Sequence, residues 1–219
     1  KTKAVFKAIF RFLSFVPLHS SPSGNNQFFE DWSLTFVDRV LQSLLLNKDK
    51  EEKRDQENWW EILQKLTYNT FFAQLSDQLY DSIVNTVVEF ALDNNLPNAL
   101  SEIGYLYKAA CKKNPEKFLA KVLPLHYKVL VHQAKNSQAR LADRSDDQLV
   151  WNLFLAAYAV KHSQGASLQA SHKDQILSLI KLATESKTTK IFKAGCKLLY
   201  SVIFALSRSY PVSYSSLGG

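Results

Sequence analysis

The sequence predicts an all-α protein, an α-solenoid of stacked helical hairpins. Three observations carry this. Apolar residues recur at i, i+3 and i+4 along most of the chain, and no convincing strand is found. Chain breakers are scarce, with 6 Gly and 6 Pro in 219 residues, which favours long helices over many short strands. One stretch, Asp146–His162 (DDQLVWNLFLAAYAVKH), is apolar nearly all round. At about 100° per residue, Leu149, Leu153, Ala156, Ala157 and Val160 share one side of it. Trp151, Leu155 and Tyr158 cover the other, and Val150 and Phe154 fill the gap. A helix of this kind has to be covered on more than one side. Its apolar run of about 12 residues is too short to span a membrane, which takes roughly 20. It is therefore expected in a middle layer. Asn152 is its one clearly polar core position and is expected to bond to a neighbouring helix, and Asp146 or Ser145 is placed to cap its start.

The elements follow in order. Ala4–Val16 is a helix that Pro17 ends, and His19–Gln27 is a loop. Phe28–Asn47 is a helix on the spacing of Phe29, Trp32, Phe36, Val40 and Leu44. Lys48–Glu57 (KDKEEKRDQE) is a charge run, expected as a solvated loop over 48–57. Asn58–Leu75 is helical with a break near Asn69, and Asp77–Leu92 is a clean helix. Pro97 and Pro115 each suit a first helical turn, opening helices Asn98–Lys113 and Glu116–Ala134. Pro124 inside the latter should bend the rod rather than end it, because the apolar stripe runs on through Val129 and Leu130. Lys135–Arg144 connects to the central helix and Ser163–Ser171 leads out of it. His172–Glu185 and Thr188–Ser209 are helices, and Tyr210–Gly219 is an extended tail over 210–219.

That makes about nine helices. Alternate helices start near residues 57, 98, 146 and 188, at intervals of 41, 48 and 42. Two helices per period of about 40–47 residues is the mark of a HEAT-type solenoid, in which one hairpin cannot bury its apolar face alone and neighbours stack. A compact all-α bundle is the alternative. The whole of 1–219 reads as one such segment. With no Met and Lys at position 1, it is expected to be a piece of a larger protein.

Composition bounds the function. Hydrophobic residues at 46% and aromatics at 12% describe a globular chain. The net charge of +7 suits acidic partners without requiring one. Cys111 and Cys196 both lie in apolar helical patterns and are expected to be buried free thiols in a reducing compartment, with a disulfide as the alternative. No apolar run is long enough for a transmembrane helix, and Lys1–Val16 does not have the pattern of a signal peptide.

No catalytic or metal-binding set is found, and the chain is not expected to be an enzyme or to need a cofactor. Gly24, Gly104, Gly165 and Gly195 are isolated, so no phosphate-cradling loop forms. His126 and His132 are six apart and point to different sides of a helix. His126 shares its arc with Leu119 and Val122, as a hydrogen-bonded core histidine would.

One electrostatic feature is more specific. Lys187, Lys190, Lys193 and Lys197 fall within about 120° on the last helix, and Arg208 joins them. Ile191, Leu198, Leu199, Val202 and Leu206 form the opposite, core-facing arc. A solvated outer face accounts for such a stripe. The functional reading is contact with an acidic protein, a polyphosphate or nucleic acid. Nucleic acid is least favoured, since no exposed aromatic is expected among the lysines, and a membrane is disfavoured because the bulky apolar residues are assigned to the core.

Four segments, FLSFVPL (Phe12–Leu18), FFEDWSLTFVDRVLQSLL (Phe28–Leu45), LVWNLFLAAY (Leu149–Tyr158) and AGCKLLYSVIFALSRSYPVSY (Ala194–Tyr214), carry a resemblance. In order and spacing they resemble the central to C-proximal part of the large HEAT-repeat proteasome activators (subunit 4, Blm-ten type). The resemblance implies a giant solenoid dome, nuclear and cytoplasmic, that caps the proteasome core particle and favours an open gate. It also implies no ATPase or protease activity and packing against other HEAT repeats of the same chain. The family anchors to the core particle through a C-terminal hydrophobic–tyrosine–any-residue tail. The ending Ser-Leu-Gly-Gly does not match it, which would put the anchor beyond residue 219. The family's association with inositol polyphosphate gives the lysine stripe a ligand to test. A HEAT scaffold of another class, a nuclear transport receptor or assembly platform, and a polyphosphate-binding module are the alternatives.

Overall fold

The computed structural model describes residues 27–46, 68–137, 143–163, 165 and 170–209, and every regular element among them is helical. In chain order they are α1 (Gln27–Leu46), α2 (helical over 68–74), α3 (Asp77–Asp93), a 3-10 turn (Pro97–Ala99) and α4 (Leu100–Lys113). Then come α5 (Pro115–Ser137), α6 (Asp143–Lys161), α7 (Ala170–Thr184) and α8 (Thr189–Ser209). The starts of α4, α6 and α8 are 43 and 46 residues apart, within the hairpin period. The expected helix Ala4–Val16, the charged loop 48–57 and the tail 210–219 lie outside the described residues. The contacts gather into two compact units, Lys1–Lys113 and Asn114–Gly219.

The first unit is built on aromatic rings. Trp32 stacks on Phe36 at 5.4 Å, Phe36 meets Phe71 at 5.1 Å, and Phe71 and Phe72 stand edge-on at 5.5 Å. Phe72 reaches Tyr80 at 6.2 Å, which joins α1, α2 and α3 through one row of rings. Among the described residues Asn69 itself is helical, within 68–74, and 58–67 lie outside them. Tyr68, Phe71 and Phe72 are buried there, and their packing outweighs the modest helix propensity of Asn. Ser76 caps α3 by accepting from the Leu79 N–H at 3.3 Å. The Tyr80 hydroxyl donates to the Ala110 carbonyl at 2.9 Å, tying α3 to α4. Buried on all sides, Tyr107 has its phenol pushed well above the ordinary range.

The second unit places α6 where its sequence demands. It packs against α5 and α8, while α7 packs against α8 and α5. Leu149, Trp151, Leu153, Leu155, Ala156, Ala157, Ala159 and Val160 are all buried. α5 continues through Pro124, which is exposed, so the ring costs the helix a donor without displacing core.

Asn152 and His126, each expected to find a hydrogen-bond partner in the core, meet one another inside this unit. His126 Nδ1 lies 2.7 Å from Asn152 Oδ1, and Asn152 Nδ2 donates to the Gln148 carbonyl at 2.8 Å. With the amide nitrogen so engaged, the oxygen accepts and His126 Nδ1 carries the proton. Burial holds His126 down to about 4, a shift that the bond to Asn152 partly opposes.

The start of α6 differs from expectation. The helix begins at Asp143, so Ser145 and Asp146 lie in its first turn and neither is the cap. Asp146 Oδ2 instead accepts from the Thr188 hydroxyl at 3.1 Å, and Asp147 pairs with Lys190 at 3.3 Å. These acids reach the turn before α8 and its first residues, a tertiary role that sequence adjacency does not reveal.

At Gly195 α8 comes close to α7. A Cβ added there would stand 2.5 Å from the Ala183 Cβ. Gly195→Ala should therefore lower stability by about 1–3 kcal/mol through overpacking, less up to ~1 kcal/mol gained in helix propensity. Ala183→Gly in the same chain should return part of the loss. Urea unfolding of the single and double variants reads this out, and a Gly195→Ala chain more stable than the parent would refute the close approach.

Candidate functional site

The face of α8 that carries the predicted lysines is built from the helix's burial pattern. Ile191, Ala194, Gly195, Leu198, Ser201 and Ala205 are buried against its neighbours, an arc of about 120°. Positions farther round the helix are left partly or fully to solvent. Leu199 is consequently 42% exposed, not core as its apolarity suggests, and Val202 and Leu206 are only half-buried. Phe192 (44%), Tyr200 (49%) and Ile203 (56%) are exposed too. Aromatic and bulky apolar residues of α8 therefore do face solvent, contrary to the expectation on which nucleic acid and a membrane were disfavoured.

The five predicted cations are all exposed, but they are not equivalent. Lys187 lies in the bend before α8 and is not a rung of the helical stripe. Lys190 is engaged with Asp147 at 3.3 Å, a surface pair that contributes less than about 1 kcal/mol. Lys193 is exposed on the same arc as Lys197. Lys197 Nζ lies 5.5 Å from the Tyr200 ring centroid, and Arg208 Cζ lies 4.6 Å from that of Phe204.

A sixth cation completes the group. Lys161, in the last turn of α6, puts its Nζ 5.3 Å from the Tyr200 centroid and 4.8 Å from that of Phe204. The two rings, 6.1 Å apart, thus hold three cations from two helices. Burial lowers the Lys161 pKa first, and the charges of Lys197 and Arg208 lower it further. Ring faces attract cations by about 0.5–1 kcal/mol at exposed sites, which offsets part of that repulsion. Lys161 is 36 residues from Lys197, and only the packing of α6 on α8 brings them together. Its one signal in the sequence is a lysine in a last helical turn, which is ordinarily read as a partner of the helix dipole.

The thiols divide as well. Cys111 is buried and burial pushes it up to about 12, whereas Cys196 is exposed on α8. The expectation of two buried thiols fails at Cys196 because its position falls outside the covered arc. Among the described residues no group of His, Cys, Asp and Glu is arranged to hold a metal ion, and no helix is long and apolar enough to cross a membrane.

Comparison with known proteins agrees with the helical hairpins. Residues 18–218 match the family model described as proteasome activator complex subunit 4, mid HEAT repeats region. Proteasome activator complex subunit 4A of Danio rerio is 24% identical over 201 residues, covering 87% of this chain and 11% of the relative. Proteasome activator complex subunit 4 of Xenopus laevis is 25% identical over 201 residues with the same coverage. Proteasome activator subunit 4 of Arabidopsis thaliana is 24% identical over 158 residues, covering 64% of this chain and 9% of the relative. The chain therefore spans about a tenth of the length of the curated relatives it matches. With most of its residues matched and all its described elements helical, the chain belongs to the proteasome activator complex subunit 4 family, in the stretch that corresponds to the mid HEAT repeats.

Proposed function

We propose that this chain is a non-catalytic structural segment of a proteasome activator that caps the proteasome core particle and promotes opening of its gate. The observation that supports this most directly is the match over residues 18–218, together with relatives from fish, frog and plant that are named proteasome activator subunits. The physics of the segment suits that work. Apolar-all-round α6 between α5 and α8 makes a rigid layer, and stacked hairpins extend such layers into long binding surfaces. The longer protein that carries this segment should co-purify with core particles and raise their hydrolysis of a fluorogenic peptide. A core-particle inhibitor should abolish all of that hydrolysis. Failure to co-purify would overturn the reading, and hydrolysis that survives the inhibitor would overturn its non-catalytic part.

A further inference from the structure

We infer that the α8 face carrying Lys193, Lys197, Tyr200, Phe204 and Arg208, completed by Lys161 of α6, is a docking track for an acidic peptide segment of a partner protein. Four observations carry this. The first is an unneutralised charge. Lys161, Lys197 and Arg208 converge on two rings, and none of them has a carboxylate partner among the described residues. Lys190, on the same helix, has found Asp147, so the helix is not simply remote from acids. Clustering like charges costs free energy that an anion would return.

The second is order. A free lysine or arginine loses rotamer entropy when it is fixed. Here the ring faces of Tyr200 and Phe204 restrict three of the cations before any ligand arrives, which lowers the cost of binding.

The third is shape. Residues 193, 197, 200, 204 and 208 advance by three or four and form a row roughly 22 Å long at 1.5 Å per residue. An extended peptide of about 7 residues covers that length, and its acidic side chains can meet successive cations. A compact polyphosphate meets only part of a straight row on a convex helix.

The fourth concerns the rings. Single-stranded nucleic acid gains affinity by stacking bases on free aromatic faces. Lys161 and Lys197 already lie over Tyr200, and Lys161 and Arg208 over Phe204, so those faces are engaged. Tyr200, 49% exposed, carries a hydroxyl that can donate to a carboxylate.

The test is fluorescence anisotropy with labelled decaglutamate and the full chain at low salt. Lys161→Glu, Lys197→Glu and Arg208→Glu together should weaken binding by about tenfold or more, with smaller losses for each alone. Lys112→Glu, an exposed lysine on α4, changes the charge as much as any one of the single reversals and should leave binding within about twofold. Circular dichroism should be unchanged throughout. Should a reversal unfold the chain, the neutral set Lys161→Gln, Lys197→Gln and Arg208→Gln must still lose binding. An equal loss in Lys112→Glu, or retained binding in the neutral set, overturns the proposal. So does absent decaglutamate binding, whether inositol hexakisphosphate or single-stranded oligo-dT binds in its place or nothing does.

Discussion

Phe72→Ala should lower the unfolding free energy by about 3–5 kcal/mol, the range for removing a fully buried aromatic ring. Phe72 is 1% exposed and stands edge-on to Phe71 at 5.5 Å and to Tyr80 at 6.2 Å. Its loss leaves a cavity at the centre of the ring row and removes two edge-to-face contacts, each contributing roughly 0.5–1.5 kcal/mol. Tyr80 borders that cavity and bonds to α4 through its hydroxyl, 2.9 Å from the Ala110 carbonyl. The defect should therefore spread, and amide protection should fall in α3 and α4. Phe72→Leu conserves more volume and should cost less, under about 2 kcal/mol. Phe192→Ala, at an exposed position of α8, should stay within about 0.5 kcal/mol. Urea unfolding of the three variants checks the ranking. A Phe72→Ala cost below about 1 kcal/mol would mean that the row of rings is not the core of its unit.

Asn152→Leu should cost about 1–3 kcal/mol, because it leaves the His126 Nδ1–H buried without its acceptor. Removing both partners, as His126→Leu with Asn152→Leu, should return most of that, since apolar groups then replace the whole polar pair. Acid should act on the same pair in the parent chain. The folded pKa of about 4 lies below the ordinary 6.5. Above 6.5 neither state holds the proton and the stability from this site is fully present. As pH falls below 6.5 the unfolded chain takes up a proton that the folded chain refuses, and stability is lost at about 1.4 kcal/mol per pH unit. The loss ends near the folded value, at a total of roughly 3 kcal/mol. The difference between the parent and His126→Leu, measured by urea unfolding from pH 7.5 to 5, isolates this contribution from the carboxylates. Parallel pH profiles for the two would show that His126 is not buried in its neutral form.

Much of the fold is legible in the residues because its causes are local. A 3.6-residue apolar period, few glycines and prolines, and first-turn prolines at 97 and 115 are enough to write out the order of helices. They also pick out α6 as a middle layer, because a helix with no polar side leaves one packing solution. The same reasoning reaches inward to His126 and Asn152, since a polar residue amid a buried arc must find a partner there. Helix boundaries are less well determined. α6 begins at Asp143, before its expected caps, and Asp146 and Asp147 bond instead to Thr188 and Lys190 across the unit.

By itself, then, the sequence determined the all-α class, the hairpin period, the central helix and that His126 and Asn152 each need a hydrogen-bond partner in the core; that they find each other is decided by the packing of α5 on α6. Only the tertiary structure decided what the surface of α8 is. Periodicity locates an apolar arc, but the width of the part that is covered depends on which neighbours pack there. Leu199 and Cys196 fall outside that part and face solvent, and Tyr200 stands among the lysines. Lys161 joins Lys197 and Arg208 because two helices meet, and no spacing along the chain encodes a contact across 36 residues.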